Sequence, residues 1–302
     1  MSFRYAVLKK VIRLIDFRKN FRGLPYEIIA KAKKKNKKNK IPKLKDKAFD
    51  IGLEEVMGFP VMKMIHRKRS DKANLFIIGG GMINPPRPGS IKRALKIARQ
   101  SGVDLFIPYY PLCTDYPVSA AFEMINRTYS LMLKSYKAEN ISVLGSSSGG
   151  FLALGIPAYI NANKMQIPMP SRILAISPGS CMATEKDWER VRALDRKDIL
   201  VPAEFMKTSE FTLRHGQASL PDYMIWLQKG DFTGCCKVYF MYGTDEVLYG
   251  MAPAFEEAMK KYNVDYEMIV GEGLYHCYPV FPVVKEAKSG YDMMIKILKG
   301  EM

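Results

Sequence analysis

The segment "ISVLGSSSGGFLAL" (141–154) sets three serines between glycines, with an apolar run on either side. The first run reads as a buried strand and the second can open a helix. Gly-x-Ser-x-Gly in such a strand–turn–helix context forms a nucleophile elbow, a turn so tight that only small residues fit beside the nucleophile. Register assigns that role to Ser147, two residues from both Gly145 and Gly149. A helix starting just after it offers backbone N–H groups and a positive dipole end to an anion. Ser146 and Ser148 fall at the small flanking positions. A plain serine–glycine turn is the alternative for the whole segment.

A serine nucleophile needs a base. The chain has three histidines. His66 precedes the elbow, inside an expected strand, and reads as structural. His215 lies in a long segment ahead of any good acid loop. His276, in "GLYHCY", follows the expected last strand, where a loop can carry an imidazole over the serine. In the order Ser, acid, His, the acid falls between the two. Asp245, in "YGTDEVL" after the strand "VYFMY", is the expected acid, and the adjacent Glu246 is the fallback. Taken alone, Asp245 is as readily a turn residue or a helix cap. A developing oxyanion needs donors. "FIIGGGMI" (76–83) provides a glycine loop after a buried strand, so Gly80 and Gly81, with the N–H of Ser148, form the expected hole. A phosphate-binding loop is disfavoured, because neither G-x-x-x-x-G-K-[ST] nor G-x-G-x-x-G follows.

The elements that must position these groups alternate along the chain. Strands are expected at 61–67, 73–81, 103–111, 141–145, 172–178, within 237–248 and at 266–276. Helices are expected at 90–102, 119–136, from about 148, at 253–263 and at 285–300. Such alternation implies a mainly parallel sheet covered by helices on both faces. The segment 179–235 interrupts it. That segment is long, mixed in charge and poor in strand signals, as insertions forming a lid or cap commonly are.

With these motifs in hand, the chain resembles the hormone-sensitive-lipase-like branch of the α/β-hydrolase superfamily across roughly residues 51–300. "IGGGM" (78–82) falls at the family's H-G-G-G, "PYYPLCTDYP" (108–117) at its D-Y-R-L-A-P-like stretch, and "GSSSGG" (145–150) at its G-D-S-A-G-G. "GTDEVL" (243–248) matches the acid loop and "HCY" (276–278) the histidine followed by an aromatic. Two positions depart from the pattern: Ile78 stands in place of the family histidine, and Ser146 in place of the aspartate beside the nucleophile. The resemblance implies an α/β-hydrolase fold with a helical cap. The cap would draw partly on the N-terminus, residues 1–50, and partly on an insertion at about 179–235. It also implies a serine hydrolase acting on carboxylic esters of short to medium acyl chain. Ser147 would attack, His276 shuttle the proton and Asp245 hold the histidine's tautomer. No metal or organic cofactor is implied. The alternative is a non-catalytic small-molecule-binding protein on the same fold, since fold alone does not fix function.

The 302 residues carry a formal charge of +17, and the charge is concentrated. Residues 1–50 hold 17 Lys+Arg against 4 Asp+Glu, a net of +13, which leaves only +4 for the rest. In 3–15, Phe3, Val7, Leu8, Val11, Ile12 and Ile15 are expected on one helical face, with Arg4, Lys9, Lys10 and Arg13 largely opposite. This helix reads first as part of the cap and second as a contact with anionic membrane. "AKAKKKNKKNKIPKLKDK" (30–47) reads as an exposed, mobile connector. Its lysines have no interleaved aromatics for base stacking, so no nucleic-acid partner is expected. The five cysteines match no zinc or redox spacing and fit a reducing compartment. With neither a transmembrane run nor a signal-peptide core in view, a cytoplasmic location is expected.

Overall fold

The computed structural model describes residues 2–302. Helices α1 (Phe3–Ile15) and α2 (Pro25–Asn36) precede a β-hairpin of β1 (Phe49–Val56) and β2 (Phe59–His66). Then follow β3 (Ala73–Ile77), α3 (Pro88–Ser101), β4 (Asp104–Pro108), α4 (Val118–Met132), β5 (Ile141–Ser146), α5 (Ser148–Ala162) and β6 (Arg172–Ile176). Helices α6 (Glu185–Leu194) and α7 (Ala203–Arg214) interrupt the alternation. It resumes with β7 (Lys237–Gly243), α8 (Ala252–Lys261), β8 (Tyr266–Gly271) and α9 (Lys288–Lys299).

All eight strands form one sheet in the order β1-β2-β4-β3-β5-β6-β7-β8. Pairing is antiparallel at β1–β2 and β2–β4 and parallel from there on. The central strands are buried on both faces, as a doubly covered parallel sheet requires. Alternate side chains enter two cores. Leu75, Ile77 and Val143 meet α4, α5 and α8, whereas Phe76 and Leu144 meet α3 and α9. The parallel register levels the strand ends: Ile77 pairs with Gly145, Ser146 with Ile176, and Gly243 with Gly271. Loops leaving β3, β5, β7 and β8 therefore open on one edge, where ligands of open α/β sheets bind.

Three expectations need correction. The lysine-rich stretch is not all connector, because α2 runs through its first third to Asn36. Ile28 and Ala32, four residues apart, are both buried and supply the packing that its lysines hide. Strand β1 was not expected. Its Gly52 and paired glutamates weaken the alternation, and the hairpin with β2 supplies its order. The apolar face expected for α1 is split. Tyr5 is buried with Leu8 and Ile12 beside it, whereas Phe3, Val7, Val11 and Ile15 point to solvent.

The insertion holds α6, α7 and two short 3-10 turns. Asp198 ties it to the sheet: Oδ1 accepts from the N–H groups of Leu200 and Val201 at 2.8 and 2.9 Å, and Oδ2 accepts from Val247 at 2.8 Å. Burial pushes the Asp198 pKa up to about 6, with His276 and those N–H groups pulling the other way. Asp198→Asn keeps the shape but loses one acceptor, leaving a buried donor unpaired. It should lower thermal or denaturant stability by about 1–3 kcal/mol, which a urea titration beside the unaltered protein would check.

Candidate active site

The elbow is built as the glycine spacing requires. Ser147 has φ 55° and ψ −127°, a sparsely populated conformation for a residue with a Cβ, and α5 begins at the next residue. A Cβ on Gly145 would lie 2.2 Å from the carbonyl oxygen of Gly149, and one on Gly149 would lie 1.9 Å from that of Ile77. Both positions are thus closed to any other residue, and the tightness between β5, β3 and α5 holds the turn. The N–H of Ser147 is fixed by the carbonyl of Ile176 at 2.8 Å.

Ser147 and His276 line the same cavity, of about 510 Å³. The imidazole is buried, and its Nδ1 hydrogen-bonds Glu246 Oε2 at 2.5 Å. The expected acid, Asp245, is not its partner. Asp245 faces the other way and pairs with Lys9 of α1 at 2.5 Å, so the fallback residue holds the histidine. The acid loop decides this: adjacent side chains diverge, and only Glu246 turns inward, to zero exposure. A carboxylate so buried needs donors on every side. Besides His276, Ser177 Oγ and the Gly243 N–H both donate to Oε1 at 2.8 Å. Ser177 in turn accepts from the Cys277 N–H at 2.9 Å. Ser177 was missed in the sequence; its only signal was its place at the end of the strand "RILAISP".

Desolvation alone would lower the His276 pKa. The neighbouring Cys277 and the Glu246 carboxylate outweigh it and hold the ring well above its ordinary value. Its Nε2 lies 3.4 Å from Cys277 Sγ, and no hydrogen bond to Ser147 is recorded among the described residues. Such contacts are often long without substrate. The other two histidines stand apart. His66 packs edge-on against Phe49, and His215 ends α7 with Nδ1 3.1 Å from the Cys113 carbonyl.

The glycine loop lies beside the elbow. The N–H of Gly80 donates to Ser148 Oγ at 3.0 Å and that of Met82 to the same oxygen at 3.2 Å. Gly80 is thereby engaged, while the N–H groups of Gly81 and Ser148 have no acceptor among the described residues. Tyr110 Oη bonds the Ile78 carbonyl at 3.0 Å, so the loop is held by its backbone at the position of the family histidine. Phe21, Phe151, Phe205, Met206 and Leu213 give the cavity apolar walls. Among the described residues, no three His, Cys, Asp or Glu side chains are grouped to hold a metal ion.

The two acids make opposite predictions. Glu246→Gln should cut ester turnover by about 10²–10⁴-fold. Without the carboxylate the imidazolium loses its partner, so the pH at which the ring sheds its proton falls and the acid limb of kcat/KM moves to lower pH. Asp245→Asn should leave both within a few-fold. A large loss in Asp245→Asn with none in Glu246→Gln would reverse the assignment. Rate–pH profiles on a p-nitrophenyl ester read both.

A family model described as alpha/beta hydrolase fold matches residues 75–280, about two thirds of the chain and all four strand-end loops. An acetyl-hydrolase of Streptomyces hygroscopicus is 23% identical over 256 residues, covering 81% of this chain and 82% of that protein. The fold is similar to that of an esterase/lipase from an uncultured bacterium, with TM-score 0.82, 20% identity and 99% of each chain covered. It is also similar to a hormone-sensitive lipase from a metagenome library, with TM-score 0.78, 18% identity and 98% of each chain covered. With the parallel sheet, the strained serine turn and the family match all agreeing, the chain belongs to the α/β-hydrolase fold family.

Proposed function

We propose that this protein is a serine esterase that cleaves carboxylic esters of short to medium acyl chain through an acyl-enzyme. The observation that carries this reading is a strained Ser147 sharing one apolar cavity with a histidine that a buried carboxylate orients. Ser147 Oγ attacks the ester carbonyl as His276 Nε2 takes its proton. Glu246 keeps the other ring nitrogen protonated and stabilises the imidazolium. The oxyanion is met by the N–H groups of Gly81 and Ser148; Gly80 joins them if the Ser148 hydroxyl turns away. His276 then returns the proton to the leaving alcohol, and water, deprotonated by the same nitrogen, releases the acid.

In this reading residues 1–50 and 179–235 together form the cap. Phe21 of the first packs on Phe205 of the second with ring centroids 4.9 Å apart, and both line the cavity. Their apolar surface suits an acyl chain or an apolar alcohol. Similarity to proteins described as esterases, lipases and an acetyl-hydrolase supports the ester as substrate class. The second reading, a binding protein without turnover, is favoured by one observation: Gly80, an expected oxyanion donor, is already bonded to Ser148.

p-Nitrophenyl acetate, butyrate and octanoate, assayed beside Ser147→Ala, separate the two. Turnover abolished in the variant is the expected outcome. kcat/KM should rise by roughly fourfold per added methylene until the cavity is filled. A folded protein that turns over no ester and leaves Ser147 unlabelled by a fluorophosphonate would instead establish the binding protein.

A further inference from the structure

The inner side of α1 is accounted for. Tyr5 is buried with its hydroxyl on the Gly273 carbonyl at 2.9 Å, Leu8 and Ile12 line the cavity, and Lys9 pairs with Asp245. Its outer side is not. Phe3 is 83% exposed and Leu14 85%, with Val7 and Val11 also exposed between them. At 100° per residue, Phe3, Leu14, Val7 and Val11 fall within about 80° of one another and make a continuous apolar stripe. Arg4 borders it on one side, and Lys10 and Arg13 on the other. All three are exposed, and none has an ion-pair partner among the described residues. No acidic residue lies within Phe3–Ile15.

We propose that the outer face of α1 is a docking surface for an anionic lipid bilayer. An apolar stripe rimmed by cations lies in the plane of such a surface, with side chains among the acyl chains and cations at the head groups. The charge selects this occupant over a second copy of the chain. A two-fold contact would set one stripe on another and bring the same three cations face to face with no carboxylate between them. The geometry gives docking a consequence. Phe17 and Val283 line the cavity and are themselves partly or largely exposed, so the cavity opens close to the docked helix. An amphiphilic ester would then have a short path from the lipid to the serine.

The test is cosedimentation of the full chain with vesicles of equal parts phosphatidylcholine and phosphatidylglycerol, and with phosphatidylcholine alone. Two variants accompany it: Phe3→Ser/Val7→Ser/Leu14→Ser and Arg4→Gln/Lys10→Gln/Arg13→Gln. Neither alters a residue that lines the cavity, so unchanged hydrolysis of a water-soluble ester, or an unchanged circular dichroism spectrum, shows that they fold. The expected result is binding to the anionic vesicles that weakens in high salt. The charge variant should bind about 100-fold more weakly, and the apolar variant at least tenfold more weakly. Equal binding by all three proteins, or none by the unaltered one, would overturn the proposal. So would a dimer in sedimentation velocity that the apolar variant abolishes, because a second copy then covers the stripe. Vesicle binding is read without turnover, so its outcome is independent of the esterase reading.

Discussion

A carboxylate cut off from water is costly unless every lone-pair direction meets a donor. Glu246 is such a group, and its donors come from three different strand ends. The imidazole of His276 comes from the loop after β8, the hydroxyl of Ser177 from the end of β6, and the N–H of Gly243 from the end of β7. The Cys277 N–H completes the ring by donating to Ser177. One buried charge therefore fixes how three loops sit against each other. The parallel register brings those loops level, and the carboxylate draws them together.

The serine is positioned by a different means. Its turn depends on steric closeness among β3, β5 and α5, where two glycines admit backbone contacts that no side chain would tolerate. Shape thus sets the turn at Ser147, and electrostatics sets the imidazole of His276. The two meet only in the cavity, whose apolar walls keep the local dielectric low and so strengthen the charge interactions that hold the imidazole.

This difference explains what could be read from the sequence. The tight turn at Ser147 was legible because glycine spacing reports steric demand directly, and the place of His276 on the same cavity because few histidines competed for it. The carboxylate that bonds the histidine was legible only to within one residue. Spacing along the chain cannot tell which of two neighbouring carboxylates a loop turns inward, and here Glu246 goes in while Asp245 goes out. Ser177 left no mark beyond a strand end, since its role exists only relative to a carboxylate 69 positions away. The strands and helices of the sheet region were legible because burial on two faces leaves long apolar runs. α2 was not, because its lysines obscured two buried positions. For α1 the periodicity was right but did not show that the apolar residues serve two sides.

The acid loop thus does two jobs with adjacent residues. Glu246 is the strut that keeps the imidazole upright, and Asp245 is one of the pegs that hold the first helix, through Lys9. The strut is sealed inside, while the peg stands at the rim. The first helix is fastened at several points, by the buried Tyr5, by Leu8 and Ile12 on the cavity wall and by Lys9 at the rim, so loss of the peg alone leaves it seated.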